Sequence, residues 1–154
     1  MLPYREKLWP AVWLYVATVL VIPATFLVFF PINVTVGIVV AFALYAACVV
    51  ALIVGSPVVE VTDSEFIAGR ARLPIAIVGE AEGFVELAAR EQRGPRLDAR
   101  AWLLIRGWVS PVVKVEVLDA ADPAPYWLVS TRHPDAVVAA IAAAKATTTT
   151  STNS

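Results

Sequence analysis

Three polar residues near the carboxyl end of the chain, Ser130, Thr131 and His133, have the types needed for nucleophilic catalysis. A hydroxyl acts as a nucleophile when an imidazole accepts its proton and a carboxylate orients that imidazole. Residues two or three apart at a strand end rarely face one another, and no acidic residue is obviously placed to orient His133. We therefore interpret His133 as a helix-cap or surface residue, and we expect no catalytic residues and no enzymatic activity.

Glu116, Asp119 and Asp122 form a second candidate group, because carboxylate oxygens close in sequence can bind hard cations such as Ca²⁺. Their spacing does not match the calcium loop of an EF-hand. Asp-Pro pairs such as Asp122-Pro123 are ordinary turn formers. The sequence therefore predicts a turn here, with no metal site and no cofactor.

Basic residues in the carboxyl-terminal half give the best indication of a binding surface. Five arginines, with two tryptophans near them, occur at Arg90, Arg93, Arg96, Arg100 and Arg106 and at Trp102 and Trp108. Each basic side chain near an anionic bilayer contributes about 1 kcal/mol of attraction. We take Arg96, Arg100, Arg106 and Trp108 as candidate contacts to lipid headgroups or to a protein partner.

An ordinary solvated face is the alternative interpretation of these arginines. Acidic residues at Glu86, Glu91 and Asp98 are interleaved with them and dilute the positive charge. The formal net charge of the chain is −1, which leaves no general excess of Lys and Arg for neutralising phosphates. We expect no nucleic-acid partner.

The elements that would position these residues begin with a long apolar segment. No charged side chain occurs between Leu8 and Val59, a span more than twice the ~20 residues that one helix needs to cross a bilayer. The segment is interrupted at Phe30-Pro31-Ile32-Asn33, so it predicts two transmembrane helices at about 8–30 and 33–55, in a membrane domain of residues 8–56. The interior Pro23 predicts a kink in the first helix.

Small residues recur at every fourth position of the second helix, at Ala43, Ala47, Ala51 and Gly55, and Gly37 and Ala41 form another such pair. This spacing lets a neighbouring helix approach closely. The stripe has two interpretations: packing within the hairpin, or contact with a second copy or a larger membrane-protein partner. Neither helix contains an ionisable Asp, Glu, Lys, Arg or His, so we do not expect this chain alone to form a transporter or channel.

The orientation in the membrane follows from the basic residues. Arg5 and Lys7 flank the first helix, Arg70 and Arg72 follow the second, and the turn between the helices has none. The positive-inside rule therefore places both termini, including an amino-terminal segment of residues 1–7, in the cytoplasm.

Residues 57–145 predict a small, mainly β domain with one short helix and one terminal helix. The predicted strands are 58–62, 65–68, 75–78, 102–105, 113–117 and 126–130, with a helix over 86–92 and a final helix that begins at Pro134. Tyr126 and Trp127 point to opposite faces of their strand, so we expect at most one of them in the core. Residues 146–154 are a Thr/Ser-rich tail that we expect to be disordered. The predicted fold is a pleckstrin-homology-like barrel or sandwich capped by the carboxyl-terminal helix.

Several sequence blocks also carry a family resemblance. They are Tyr4-Arg5-Glu6-Lys7-Leu8-Trp9, Ala71-Arg72-Leu73-Pro74, Val78-Gly79-Glu80, Leu97-Asp98, Arg106-Gly107-Trp108-Val109 and the run from Asp119 to Pro134. Together they resemble actinobacterial two-pass membrane proteins catalogued as a domain of unknown function, of the DUF3093 type. The resemblance implies a multi-pass plasma-membrane protein and brings no reaction, cofactor or site residue with it.

The function predicted from these features is non-enzymatic. The hairpin would anchor a β-rich domain that binds a protein partner or lipid headgroups, with the lipid bilayer and a second copy as further partners. The alternative is an accessory subunit of a transport or cell-envelope synthesis complex, with the hairpin packed into a larger membrane assembly.

Overall fold

The computed structural model describes residues 4–152, and the side chains of residues 4–148. The chain divides into two units. One is a helical hairpin of residues Trp9–Ser56, and the other is a β domain built from the residues up to Leu8 and those from Pro57 onward. The hairpin is therefore an insertion between the first two strands of the β domain.

The hairpin consists of α1 (Val12–Val19), α2 (Val21–Phe29) and α3 (Val34–Val54). The break between α1 and α2 follows from Pro23, which has no N–H to donate to the carbonyl of Val19 and whose ring crowds that carbonyl. The predicted kink is thus realised as a helix interruption at Leu20. Asn33 starts α3 by accepting a 3.1 Å hydrogen bond from the Val36 amide.

Two segments of the hairpin, Val12–Phe29 and Val34–Val54, are long and apolar enough to cross a membrane, with mean hydropathies of 2.3 and 2.8. Only 6% and 11% of their residues are buried. The core helix of a water-soluble protein is mostly buried, whereas most residues of these two helices are not buried.

The β domain contains two four-stranded sheets. The first is an antiparallel meander in the order β1 (Tyr4–Lys7), β2 (Val58–Val61), β3 (Glu65–Ala68) and β4 (Ala71–Pro74). The second has the order β5 (Val78–Phe84), β7 (Val112–Val117), β8 (Tyr126–Ser130) and β6 (Trp102–Leu104). In it, β6 runs parallel to β8 and the other pairs are antiparallel. Two helices complete the domain, α4 (Glu86–Arg93) and α5 (Pro134–Thr152).

The main core lies between the inner faces of the two sheets and α5. It is built from Val59, Val61, Phe66, Leu73, Val113, Val115, Trp127, Val129, Val137, Ile141 and Ala144. A second cluster on the outer face of the second sheet contains Ala89, Val112, Tyr126 and Leu128. Tyr126 and Trp127 do point to opposite faces, but both are buried, so the expectation of at most one core residue is wrong. Apolar residues of α4 and of the segment after it cover the face on which Tyr126 lies.

The structure differs from the sequence-based boundaries at four other places, the first of which is β4, where no strand was predicted. The amino-terminal segment forms β1 within the β domain, and Ile75–Ile77 is a 3₁₀ turn that precedes a strand beginning at Val78. Helix α5 continues to Thr152, through most of the tail predicted to be disordered. Its extension is supported by the hydroxyls of Thr147 and Thr148, which donate to the carbonyls of Ala143 and Ala144. Residues 153 and 154 of that tail lie outside the described part of the chain.

Candidate functional site

The chain leaves the β domain and returns to it at a single point. Lys7 at the end of β1 pairs with Val58 at the start of β2, and the Leu8 amide donates a 2.9 Å hydrogen bond to the Pro57 carbonyl. We call this end of the domain the junction end. It comprises Lys7, Leu8, Pro57, the start of α4 through Arg90, the start of α5 through Asp135 and the turns at 69–70, 85–87, 105–111 and 131–133, which follow or precede strands that terminate there.

Contacts between the two sheets bring these turns together. A Cβ atom at Gly69 would lie 3.5 Å from Pro57 Cβ and 3.6 Å from Leu104 Cδ1, which joins the β3–β4 turn to the end of β6. Gly69 also has a φ of 64°, a conformation that favours glycine. On the second sheet, Phe84 pairs with Val112, and the Thr131 amide donates to the Pro111 carbonyl.

Arg106 and Trp108 lie at the junction end. The Trp108 indole Nε1 donates a 3.4 Å hydrogen bond to the carbonyl of Leu8, the last residue before the hairpin. The guanidinium carbon of Arg106 lies 6.0 Å from the centre of the Trp108 ring, a cation–π distance. The Ser130 hydroxyl fixes the loop by accepting a 3.0 Å hydrogen bond from the Arg106 amide.

Arg96 and Arg100, the other two candidate contacts, lie in the segment that enters β6, at the opposite end of that strand. Arg96 is 3.4 Å from Glu91, and Arg100 is 3.3 Å from Asp98. The hydrogen bonds from Arg100 hold the pKa of Asp98 below its usual value. The structure thus brings together Arg106 and Trp108 but places Arg96 and Arg100 elsewhere, each beside a carboxylate.

Two further arginines lie at the junction end; Arg90 belongs to the predicted basic surface, whereas Arg70 was not predicted to belong to it. Arg70 is exposed in the β3–β4 turn, and Arg90 is exposed on α4. Beside Arg90, the exposed Val85 and Leu87 line a surface cavity of about 650 Å³ together with Glu86, Ser110 and Pro111. No local sequence pattern predicts that these residues lie together, because the turns that carry them join strands that are far apart in the chain.

A buried polar cluster connects β1 to the carboxyl-terminal part of the domain. Glu6 accepts hydrogen bonds from the Thr131 hydroxyl at 2.6 Å, the Tyr4 hydroxyl at 2.9 Å and the Arg132 amide at 3.1 Å. The Thr131 hydroxyl also accepts a 3.2 Å hydrogen bond from the His133 amide. Burial is the main cause that raises the pKa of Tyr4; the neighbouring Glu6 raises it too, and Thr131 lowers it.

These contacts account for the groups that resembled a catalytic set. The hydroxyls of Ser130 and Thr131 are engaged with backbone amides and with Glu6, and Thr131 meets only the main chain of His133. These contacts are structural: the Thr131 hydroxyl donates its hydrogen bond to the carboxylate of Glu6 and so holds β1 to the end of β8.

The acidic loop forms turns. The carboxylates of Asp119 and Asp122 accept hydrogen bonds from the amides of Ala121 and Ala124, at 2.9 and 2.8 Å. The Glu116 carboxylate accepts one from the Glu80 amide at 3.2 Å. In the described residues no group of three or more His, Cys, Asp or Glu side chains is arranged to hold a metal ion.

In the hairpin, the small-residue stripe does not form the internal packing. Gly37 and Ala41 are the buried residues of α3, and a Cβ atom at Gly37 would lie 3.0 Å from Phe29 Cβ. Ala43, Ala47, Ala51 and Gly55 are all exposed. At about 100° per residue, Ala43 lies about 200° around the helix from Ala41. The small residues that pack within the hairpin are therefore Gly37 and Ala41, and contact of the four stripe residues with another helix stays a prediction.

Comparison with known proteins identifies a family but no activity. Residues 3–141 match the family described as Protein of unknown function (DUF3093). This match covers most of the chain, so the chain belongs to that family. Neither the curated proteins nor the solved structures contain a match.

Proposed function

We propose that this member of the DUF3093 family is a two-pass plasma-membrane protein whose β domain binds lipid headgroups or a protein partner and has no catalytic role. The observation that carries the proposal is the antiparallel pairing of β1 with β2 across the hairpin. Because Lys7 and Val58 are adjacent, the chain must leave and re-enter the β domain on one side of any membrane that the hairpin crosses. Two helices joined by the short turn around Pro31 satisfy that requirement.

The surface of the hairpin supports the membrane assignment. Leu20, Leu27 and Val54 are 68%, 74% and 78% exposed, and the neighbouring side chains are also apolar. Exposed apolar surface in water costs roughly 25 cal/mol per Å², so two helices of this kind are unfavourable in solution and favourable in lipid. This surface argues against a role as core helices of a soluble protein.

The basic residues support a cytoplasmic location of both termini. Lys7, Arg70 and Arg106 belong to the junction end, where the β domain is covalently joined to the hairpin. The turn at 30–33 has no charged residue. Positive charge near the ends of transmembrane helices is typical of the cytoplasmic side.

The contacts of the polar side chains in the β domain support a binding role. The hydroxyls and carboxylates that could have supported catalysis hold turns and strands together, whereas Arg106 and Trp108 form a cation–aromatic pair at the junction end. The fold itself, a meander sheet facing a second sheet with α5 against both, supports the proposal of a pleckstrin-homology-like sandwich. The parallel strand β6 is a departure from a wholly antiparallel arrangement. The resemblance of the sequence blocks supports a high-GC Gram-positive source.

The exposed stripe favours a second candidate function, an accessory subunit of a transport or envelope-synthesis complex. Small residues at Ala43, Ala47 and Ala51 leave the helix backbone open to close approach by another transmembrane helix. An Ala47→Leu variant should then lose a large complex in mild detergent while the β domain stays folded. A wild-type chain that runs as a monomer or simple dimer, unchanged by Ala47→Leu, would leave the anchor function in place.

Sidedness of the carboxyl terminus tests the main proposal. A reporter active only in the cytoplasm and one active only outside would each be fused after Ser154 and, separately, inserted after Ile32. We expect cytoplasmic activity for the terminal fusion and external activity for the insertion in the turn. Both fusions on the same side would exclude a two-pass hairpin, and an external terminus would reverse the orientation.

A further inference from the structure

We propose that the junction end is a docking surface for the anionic phospholipid headgroups of the bilayer that holds the hairpin, with Arg70, Arg90 and Arg106 as the cationic contacts and Val85 and Leu87 as apolar ones. This inference rests on the proposed two-pass function and names the ligand of the β domain. Its basis is a difference between the two ends of the domain, which the fold creates from residues scattered along the chain.

The junction end is the more basic of the two. Its cationic residues are Lys7, Arg70, Arg90, Arg106 and Arg132, and its carboxylates are Glu6, Glu86 and Asp135. Glu6 is nearly buried, and Arg132 lies 3.6 Å from it. The opposite end carries Asp63, Glu80, Glu116, Asp119 and Asp122 in its turns and strand ends. Its basic residues include Lys145, Arg96 and Arg100, and the two arginines each lie beside a further carboxylate, Glu91 or Asp98. An anionic surface would attract the first end and repel the second.

The three arginines differ in their pairing from those elsewhere on the domain. In the described part of the chain, no carboxylate lies within ion-pair distance of Arg70, Arg90 or Arg106. By contrast, Arg72, Arg96 and Arg100 each lie within 3.4 Å of a carboxylate. A guanidinium without a carboxylate neighbour has donors left for phosphate, which it can bind with two parallel hydrogen bonds; Arg106 uses one of its donors on the Ile105 carbonyl, at 3.1 Å.

Apolar side chains accompany these charges. Val85 is 51% exposed and Leu87 69% exposed, and both lie beside Arg90 around the 650 Å³ cavity. Trp108 is close by, since it bonds to Leu8 and is two residues from Ser110, which lines the same cavity. Exposed aliphatic residues flanked by basic and tryptophan side chains suit the boundary between headgroups and acyl chains.

The covalent connection removes most of the cost of bringing this surface to a bilayer. Leu8 is four residues from the start of α1 at Val12, a reach of at most about 14 Å at ~3.5 Å per residue. The local concentration of headgroups is therefore high, and a surface of weak individual contacts is enough for docking. The acidic Glu86 and Asp135 moderate the attraction, and salt weakens it by screening the charges of the arginines and the headgroups.

The test uses the full chain in lipid nanodiscs and measures how deeply chosen positions lie. In a Cys48→Ala background, a fluorophore is attached at Leu87→Cys, at Leu118→Cys on the opposite end, or at Leu27→Cys in the hairpin. Quenching by lipids that carry a quencher near the headgroup or along the acyl chain is compared between phosphatidylcholine discs and discs containing phosphatidylglycerol. The measurement is repeated at low and high salt.

We expect headgroup-level quenching at position 87 that requires phosphatidylglycerol and weakens in high salt, with little quenching at position 118. Replacing Arg70, Arg90 and Arg106 by glutamine should reduce the ratio of docked to undocked protein by about fivefold for each arginine. The matched control, glutamine at Arg72, Arg96 and Arg100, should leave the ratio within twofold. Circular dichroism verifies that both triple variants remain folded.

Other results would overturn the inference. Equal quenching at position 87 with and without phosphatidylglycerol, equal effects of the two triple variants, or stronger quenching at position 118 would each exclude headgroup docking through the junction end. Acyl-chain quenching at position 27 reports separately on the hairpin. If position 27 is quenched and position 87 is not, the inference fails while the two-pass proposal stands; if position 27 is not quenched either, the two-pass proposal itself fails.

Discussion

Replacing Thr131 by valine is expected to destabilise the β domain much more than the same replacement at an exposed threonine. The Thr131 hydroxyl is fully buried, donates a 2.6 Å hydrogen bond to Glu6 and accepts a 3.2 Å hydrogen bond from the His133 amide. Valine has a similar shape, so the main effect is the loss of these two interactions. The variant therefore isolates the contact between β1 and the end of β8.

The magnitude follows from the charged acceptor. A hydrogen bond to an ionised group contributes roughly 1.5–3 kcal/mol. Glu6 would retain its bonds from the Tyr4 hydroxyl and the Arg132 amide, so its carboxylate would not be left without partners. We expect a loss of about 2 kcal/mol, by the same hydrogen-bond scale. For a domain of ~100 residues this corresponds to a thermal midpoint lower by about 8–16 °C.

Thermal unfolding of the full chain in detergent micelles measures the effect. Near-ultraviolet circular dichroism reports on the core through Trp127 and Trp102, whose ring centres are 4.3 Å apart. The matched control is Thr147→Val, because that hydroxyl is exposed and bonds only to the Ala143 carbonyl of its own helix. The control should stay within about 0.5 kcal/mol of the wild type. Equal midpoints for the two variants would refute the reasoning that the Glu6 contact secures β1.

Three further substitutions, the first with a matched control, test other parts of the structure. Gly69→Ala should cost about 1–2 kcal/mol of unfolding free energy because of its positive φ. Gly107→Ala is the control: no atom lies within 4 Å of its added Cβ, so it should not lower the unfolding free energy. Equal thermal midpoints for Gly69→Ala and Gly107→Ala would contradict this reasoning. Arg100→Gln should raise the pKa of Asp98 by removing the guanidinium hydrogen bonds, the largest cause that lowers it, while the amide of residue 100 still donates; an NMR titration would measure this, and an unchanged pKa would exclude the side-chain pair in solution. In the wild type, the stability from Asp98 is present above its ordinary pKa and is lost as the pH falls through the lowered folded-state pKa. Ala41→Leu should separate α2 from α3 at a cost of about 1–3 kcal/mol, and unchanged spin-label distances would contradict that packing.

The parts of the fold that depend on local pattern were predictable. The uncharged segment gave both hairpin helices, and the strands Glu65–Ala68 and Tyr126–Ser130 have the predicted bounds. Alternation of apolar and polar residues, or a continuous apolar run, is a property of neighbouring residues and is visible without the fold. The turn at Asp119–Asp122 was predictable for the same reason, since those side chains bond to amides two residues away.

The candidate site was predictable only in part, because it is assembled from distant segments. Trp108 meets Leu8 across 100 residues, and Thr131 meets Glu6 across 125. Arg96 and Arg106 are ten positions apart in sequence, yet β6 separates them in space. Proximity in sequence therefore grouped arginines that lie at opposite ends of β6, and the grouping of Arg106 with Arg70 required the pairing of whole strands.

The insertion of the hairpin between β1 and β2 gives a physical reason for this arrangement. Closing a flexible loop of ~50 residues costs about 3.5 kcal/mol in chain entropy, and a four-residue strand such as β1 cannot offset that cost alone. A folded hairpin brings Leu8 and Pro57 together in advance, so the pairing of β1 with β2 no longer has to close the loop. Glu6 then secures β1 through Thr131 and Arg132, which lie at the end of β8 and just before α5. The strand before the hairpin is thereby held to the carboxyl-terminal part of the same β domain across 125 positions of the sequence.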